Sequence, residues 1–384
     1  MAVPIVVNTD PGEKFQLAHR LWQGCPTILR TPGGRLFAGW YTGGSGEAEP
    51  ENYNLLIQSD DDGWTWTPPV AVVESDIANQ YIAIDIQLWL DPLHRMWMFI
   101  TQRYMGGDQR YTDEDHLALW AVICDDPDAE KLIWGKPFYI TNGFLRTRPT
   151  VLSNGDWVLC AYNWCHDRYQ YCRSRDQGKT WITCRAGKKL NPDYDESMIL
   201  ERKDGSLLML ARDSRCLLAK TECATADGTD WTDGTYTNIL NASSRFFIRR
   251  LASGRVLLIL NEAQDFRRNL VAKLSDDDGE TWPWSLQLDD AENPARSISY
   301  PDAAIAPDGR IFITYDRGRG TFREILMAQI TEEDILQGVL TRQDSYSGRI
   351  ISKAPMPADP EKFKEQQAAG KKWREEVFNK LLRK

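Results

Sequence analysis

Histidine is scarce, no two cysteines are spaced as a metal or redox pair, and no long apolar run is present. Each absence excludes a class of protein. The chain of 384 residues holds 4 His, none in HExxH spacing, which leaves no recognisable zinc site. Its 8 Cys are scattered without a CxxC pair and read as reduced core thiols, not as a disulfide framework. No P-loop or dinucleotide fingerprint occurs. The pairs Gly43-Gly44 and Gly106-Gly107 follow apolar segments and read as loop turns. No cofactor is therefore expected. No stretch approaches the roughly 18 apolar residues of a membrane span. Asp and Glu outnumber Lys and Arg by 55 to 46, a net charge of -9, which argues against a general nucleic-acid binder. The opening stretch MAVPIVVNTDPGEK has neither a basic nor an extended apolar region. No signal peptide is expected, and the expected location is cytoplasmic.

What is present is aromatic and full of turns. The 15 Trp, 27 Gly and 19 Pro are spread along the whole chain, a composition suited to many short strands. One pattern, S-x-D-x-G-x-T-W, occurs three times. Its copies are Ser59-Asp61-Gly63-Thr65-Trp66, Ser174-Asp176-Gly178-Thr180-Trp181 and Ser275-Asp277-Gly279-Thr281-Trp282, with a weaker echo ending at Trp231. Physically this is a tight hairpin. Glycine supplies a backbone conformation closed to other residues, Asp accepts from turn amides, and Trp packs beneath. These Asp residues are read as structural.

A finer series of turn-then-strand signals begins at residues 31, 91, 153, 203, 252 and 307, successive starts lying 49 to 62 residues apart. That interval holds one four-stranded sheet, and there are six. The expectation is an all-β fold, a six-bladed β-propeller over residues 1–355, with a C-terminal helical extension over 356–384. Equal spacing along the chain favours this over two β-sandwich domains. VPIVVN and SGRIISKA are expected to supply extra strands. TEEDILQGVL opens with a Thr cap and an acidic first turn, so a short helix is expected there. Residues 358–383 read as a longer one.

In a propeller the Asp-box turns and the first hairpin turns of the blades share one face. The opposite face carries the starts of the innermost strands and the ends of the second strands. Counting back from each turn places Gln23, Asp85, Arg148, Glu196, Arg245, Tyr300 and Asp302 at the former, and Trp164, Arg212 and Arg317 at the latter. Aromatic rings with carboxylates suit a sugar, and converging arginines suit an anionic group. A carbohydrate is the expected partner.

The boxes and blade count resemble the sialidase (neuraminidase) superfamily, or BNR-repeat proteins, over roughly residues 15–330. DESMILERKDGSLLMLAR resembles the sialidase blade with the glutamate that partners a nucleophilic tyrosine, implying that role for Glu196. Arg212 then falls where a carboxylate-binding arginine is expected. RRNLVAKLSDDDGETW resembles the strand carrying another such arginine, implying Arg268. ISYPDAAIAPDGRIFITYD resembles the segment with the nucleophile, implying Tyr300. The resemblance has one departure: the Arg-x-Pro motif of the first inner strand is missing, and Gln23-Gly24-Cys25-Pro26 stands there. The chain is thus an atypical branch, expected to act on an acidic or sialic-acid-like sugar.

The implied chemistry is a retaining exo-glycosidase. A phenol with a pKa of about 10 is a weak nucleophile until a neighbouring carboxylate takes its proton, and sialidases are known to use tyrosine in this way. Glu49, Glu51 and Asp85 stay open as the acid for the leaving group. Two other readings keep the propeller. One is a lyase in which Tyr300 or His166 removes a proton beside a uronate carboxylate; the other is a sugar-binding propeller without turnover.

Overall fold

The computed structural model describes residues 3–105, 116–191 and 195–382. The expected turn at Gly106-Gly107 and residue 383 of the expected helix lie outside the described residues. Six antiparallel sheets follow one another along the chain, five of four strands and one of five, and form a six-bladed β-propeller.

Blade one contains Trp22–Arg30, Leu36–Gly43, Asn52–Ser59 and Ala71–Glu74, with Val7–Asn8 added at its outer edge. Blade two contains Tyr81–Leu90, Met96–Tyr104, Leu117–Cys124 and Phe138–Thr141, and blade three Thr150–Val151, Trp157–Leu159, Arg168–Ser174 and Ile182–Lys188. Blade four runs through Ser197–Glu201, Leu207–Ala211, Leu217–Cys223 and Thr235–Leu240, and blade five through Phe247–Arg250, Val256–Asn261, Leu270–Ser275 and Trp284–Asp289. Blade six contains Ile298–Ile305, Arg310–Arg317, Glu324–Thr331 and Tyr346–Lys353. Both expected extra strands exist, one at the edge of blade one and one as the last strand of blade six.

Two compact units divide these residues. The first is Met1–Phe144 with Asp316–Ile325 and Ile350–Lys384; the second is Leu145–Tyr315 with Leu326–Arg349. In the first, Ile86, Leu88, Met98, Ile100, Val122 and Phe37 form an apolar layer between sheets. In the second, Leu257, Ile259, Leu270, Ile311, Ile313 and Leu326 do the same. Threonine side chains tie adjacent inner strands together. Thr27 Oγ1 accepts from Leu88 N at 3.1 Å in the first unit, and Thr150 Oγ1 donates to Ile199 O at 2.7 Å in the second.

Each Asp box closes the hairpin between the third and fourth strands of its blade. Thr65 N donates to Asp61 Oδ1 at 2.9 Å, Gly63 N to Ser59 Oγ at 2.9 Å, and Trp66 Nε1 to Gly63 O at 3.1 Å. Blade three repeats all three bonds at Asp176, and blade five repeats the threonine and glycine bonds at Asp277. The box glycines have φ of 82°, 85° and 93°, where a side chain would be strained. The partial box in blade four keeps the Trp231 Nε1 bond to Gly228 O at 3.0 Å.

Helix Glu332–Gln337 starts at a capping box, Thr331 accepting from Asp334 N and the Asp334 side chain accepting in return. The C-terminal helix is Pro360–Leu382. No helix among the described residues is long and apolar enough to cross a membrane.

Candidate functional site

The second unit holds a buried cluster centred on Tyr300 and Glu196, each only 1% exposed. Tyr300 enters on the inner strand of blade six and Glu196 immediately precedes that of blade four. The phenol donates to Glu196 Oε1 at 2.6 Å. Two guanidiniums bracket the pair. Arg212 Nη1 lies 2.7 Å from Glu196 Oε2 and 2.9 Å from the phenol oxygen. Arg146 Nη1 lies 3.2 Å from Glu196 Oε1 and 2.7 Å from the phenol oxygen.

Burial alone would raise the Glu196 carboxyl, but Arg212, Arg146 and the Tyr300 hydrogen bond outweigh it and hold the group at about 2. Burial raises the Tyr300 phenol, with Arg146 and Arg212 opposing the rise. The proton therefore rests on tyrosine. The phenol oxygen meanwhile accepts from two cations that would stabilise the oxyanion if that proton left.

The tyrosine backbone is in the left-handed region, φ 57°, which costs a bulky residue on the order of 1–3 kcal/mol. Its N–H donates to Ser244 Oγ at 3.3 Å and its carbonyl accepts from Arg245 Nη2 at 2.6 Å. Arg146, Arg245 and Arg267 lie 5.2, 5.1 and 5.1 Å from the centre of the ring. Inner-strand residues Cys25 and Asp85 share the left-handed conformation, φ 57° and 53°, so the device recurs in three blades.

The other expected residues of this unit fall around the cluster in distinct ways. Arg245 is buried and gives its guanidinium to main-chain oxygens, of Arg146 at 3.0 Å and of Tyr300. Arg148 meets Asp302 in a two-pronged ion pair at 3.0 and 2.6 Å. Arg268 points elsewhere, Nε to Asp265 at 3.0 Å, and is 41% exposed. Its neighbour Arg267 is the arginine that faces the ring. Trp164 is half-buried against Tyr162, and His166 lies half-buried in the same loop. Next to Glu196, Asp195 pairs with Lys189 at 2.6 Å, both buried. Burial pushes the Asp195 carboxyl up to about 6, Lys189 limiting the rise.

The remaining candidates lie in the first unit. Gln23 is fully buried and both ends of its amide are engaged: Nε2 donates to Arg323 O at 2.5 Å and Ser352 O at 3.3 Å, and Oε1 accepts from Trp40 Nε1 at 3.2 Å. It acts as a crosslink. Arg317 pairs with Glu324 at 2.8 Å. Asp85 is buried in the inner strand of blade two. Glu49 folds back onto its own loop, accepting from Ser45 N at 2.7 Å. Glu51 is exposed and, with Glu49, Tyr53, Lys14 and Glu74, lines a cavity of 620 Å³. None of its lining residues belongs to the Tyr300 cluster.

Where the Arg-x-Pro arginine is missing, another guanidinium occupies the space. A Cβ on Gly24 would lie 2.7 Å from Arg319 Cδ and 2.9 Å from its Nε. Arg319 is held by Asp316 at 2.9 Å and Glu47 at 3.2 Å. Among the described residues no group of three or more His, Cys, Asp or Glu is placed to hold a metal ion.

Asp-boxed blades with a buried tyrosine, glutamate and arginines define a sialidase-like propeller. The model of the BNR repeat-like domain matches residues 86–313, and the chain belongs to that family, within the sialidase/BNR-repeat superfamily. It is 33% identical over 161 residues to a sialidase of Micromonospora viridifaciens, a match covering 38% of this chain and 23% of that protein. Less than a quarter of that relative is thus represented. Among solved structures, the Hadza microbial sialidase Hz136 superposes with a TM-score of 0.67 at 19% identity, covering 83% of this chain and 67% of that one. The intramolecular trans-sialidase of Ruminococcus gnavus, in complex with oseltamivir carboxylate, gives 0.68 at 14% identity, covering 85% and 98%.

Proposed function

We propose that the protein is a retaining exo-glycosidase acting on an acidic, sialic-acid-like sugar, with Tyr300 as nucleophile and Glu196 as its proton acceptor. The observation that carries this reading is the 2.6 Å Tyr300–Glu196 hydrogen bond set between Arg146 and Arg212. In the first step the phenol oxygen bonds to the anomeric carbon, the glycosidic C–O bond breaks, and the phenol proton passes to Glu196. A separate acid protonates the leaving oxygen. Water then attacks the anomeric carbon and gives its proton to the conjugate base of that acid, the bond to Tyr300 breaks, and Glu196 returns its proton to the released phenolate.

The resting pair is poised against transfer, since Glu196 is held near 2 and Tyr300 is raised. An anionic substrate resolves this. Its carboxylate competes for Arg146, Arg212 and Arg267, and every guanidinium drawn from Glu196 makes that carboxylate more basic. Binding and proton transfer are coupled through shared arginines. A neutral phenol also spares the anionic substrate a second negative charge at the point of attack. The trans-sialidase similar in fold is in complex with a carboxylate ligand, which agrees with an acidic sugar here.

The test is a panel of aryl glycosides, including sialosides and uronides, with the wild type, Tyr300→Phe and Glu196→Gln. Release of the aryl group with retained anomeric configuration, lost in both variants, supports the reading. Full activity in both variants overturns it, and an unsaturated, ultraviolet-absorbing product would transfer the assignment to a lyase.

A further inference from the structure

The turn at 241–245, Asn-Ala-Ser-Ser-Arg, joins the last strand of blade four to the first strand of blade five. It contributes nothing that touches the Glu196 carboxylate, yet it reaches nearly every other part of the cluster. Ser243 Oγ accepts from Arg212 Nε at 3.2 Å, and Ser243 O accepts from Arg267 Nη2 at 2.9 Å. Ser244 Oγ and the Arg245 guanidinium take the two ends of the Tyr300 backbone, its N–H and its carbonyl. Arg245 also donates to the Arg146 carbonyl at 3.0 Å. One short turn thus holds the phenol's main chain and the three arginines from outside the turn, Arg146, Arg212 and Arg267, that approach the phenol.

The turn is itself fixed. Asn241 Oδ1 accepts from Ser244 N at 2.9 Å, Asn241 N donates to Cys216 O at 3.0 Å, and Ser243 is left-handed with φ 46°. A side-chain-locked turn of this kind orients donors and acceptors without needing the ligand. We propose that the 241–245 turn is the positioning element of this site and that Arg245 is its principal positioning residue, keeping Tyr300 in its left-handed conformation so that the hydroxyl meets Glu196. The catalytic consequence rests on the reading of Tyr300 as nucleophile; the geometric claim does not.

A guanidinium fits this task because its fork reaches two carbonyls at once, which a lysine cannot do with the same rigidity. The variants are Arg245→Met, which keeps an apolar stem, Arg245→Lys, and Ser244→Ala. Two readouts need no turnover: the crystal structure of each variant, and the resonance of ¹³Cζ-labelled Tyr300, assigned with Tyr300→Phe. In Arg245→Met the hydroxyl is expected to leave Glu196 by about 1 Å and the resonance to shift or broaden. Under the proposed reaction kcat then falls about a hundredfold while KM moves less than about threefold, with partial recovery in Arg245→Lys. Should Arg245→Met not fold, Ser244→Ala is read by the same spectrum, with a smaller change in the same direction.

A phenol that keeps its position and resonance in Arg245→Met, or in Ser244→Ala if that alone folds, overturns the proposal. A wild type inactive on every glycoside would sink the functional reading instead, and the structural and spectroscopic readouts would still decide the positioning claim.

Discussion

Tyr300 gives its hydroxyl proton to a hydrogen bond with Glu196 across 2.6 Å, in a place where both side chains are 1% exposed. A carboxylate can be kept there only because Arg212 and Arg146 lie beside it, and those cations also face the phenol oxygen. The four groups therefore form one electrostatic unit, and changing any of them alters the protonation of the rest.

Replacing Glu196 with Gln keeps the shape and removes the charge. Turnover is expected to fall at least about a hundredfold through loss of the proton acceptor. Stability is expected to fall by about 3 kcal/mol, because two buried guanidiniums lose their anion. Steady-state kinetics and urea unfolding check the two effects separately.

Arg146 and Arg268 should separate cleanly. Arg146→Met, at a position that touches both members of the pair, is expected to raise KM for an acidic substrate and lower kcat. Arg268→Ala, which breaks an exposed pair with Asp265, is expected to leave both constants and the melting temperature unchanged. If Arg268→Ala impairs turnover as severely as Arg146→Met, the arrangement of arginines described above is wrong.

Acid should unfold the protein in a defined window. Glu196 is held at about 2 against an ordinary 4.5, and Asp61, Asp176 and Asp277 of the boxes at about 2 against 3.8. For Glu196 arginines overcome burial; for Asp277 Thr281 does so; at Asp61 and Asp176 bonds from Thr65 and Thr180 act first. All are depressed, so their stabilisation is complete above the unfolded values and lost as pH falls toward about 2. The urea midpoint should not fall between neutrality and about 5, where protonation of Asp195, held at about 6, adds stability, and should decline below about 4.5, less steeply in Glu196→Gln. A decline beginning above pH 6 would contradict this.

Gly24 and Arg319 should show coupling. Gly24→Ala pushes a methyl group to 2.7 Å from Arg319 Cδ, in a side chain anchored by Asp316 and Glu47, at an expected cost of about 1–3 kcal/mol. Arg319→Ala in the same chain should relieve most of it. A double-mutant cycle in thermal unfolding reads the interaction, and strict additivity would refute it.

The blades were legible because turn chemistry is local: the box at 174–181 needs only its own residues to close. Tyr300, Glu196 and Arg212 came from resemblance to a family pattern, and the structure places them in contact. Arg146 was missed for a physical reason. Its segment is irregular up to the two-residue strand Thr150–Val151, so counting back from the turn stopped at Arg148, two residues short. The signal available was the pair in LRTRPT, since residues two apart share a face. The arginine turned toward the Tyr300 ring is Arg267, one position before the expected Arg268. Asn269 is left-handed, φ 48°, and the register slips between Leu270 and Val271, which breaks the alternation that would have chosen the face. Arg319 could not be read at all, because what brings it over Gly24 is the folded loop.

The grip on Tyr300 by Arg245 has a property that ion pairs lack. Its acceptors are peptide oxygens, which bind no proton in the range where carboxylates lose their charge. Protonating Glu196 therefore dissolves the ion pairs around the phenol but leaves these two bonds with nothing of their own to titrate, so acid attacks the cluster through its carboxylate and not through the seat of the tyrosine backbone.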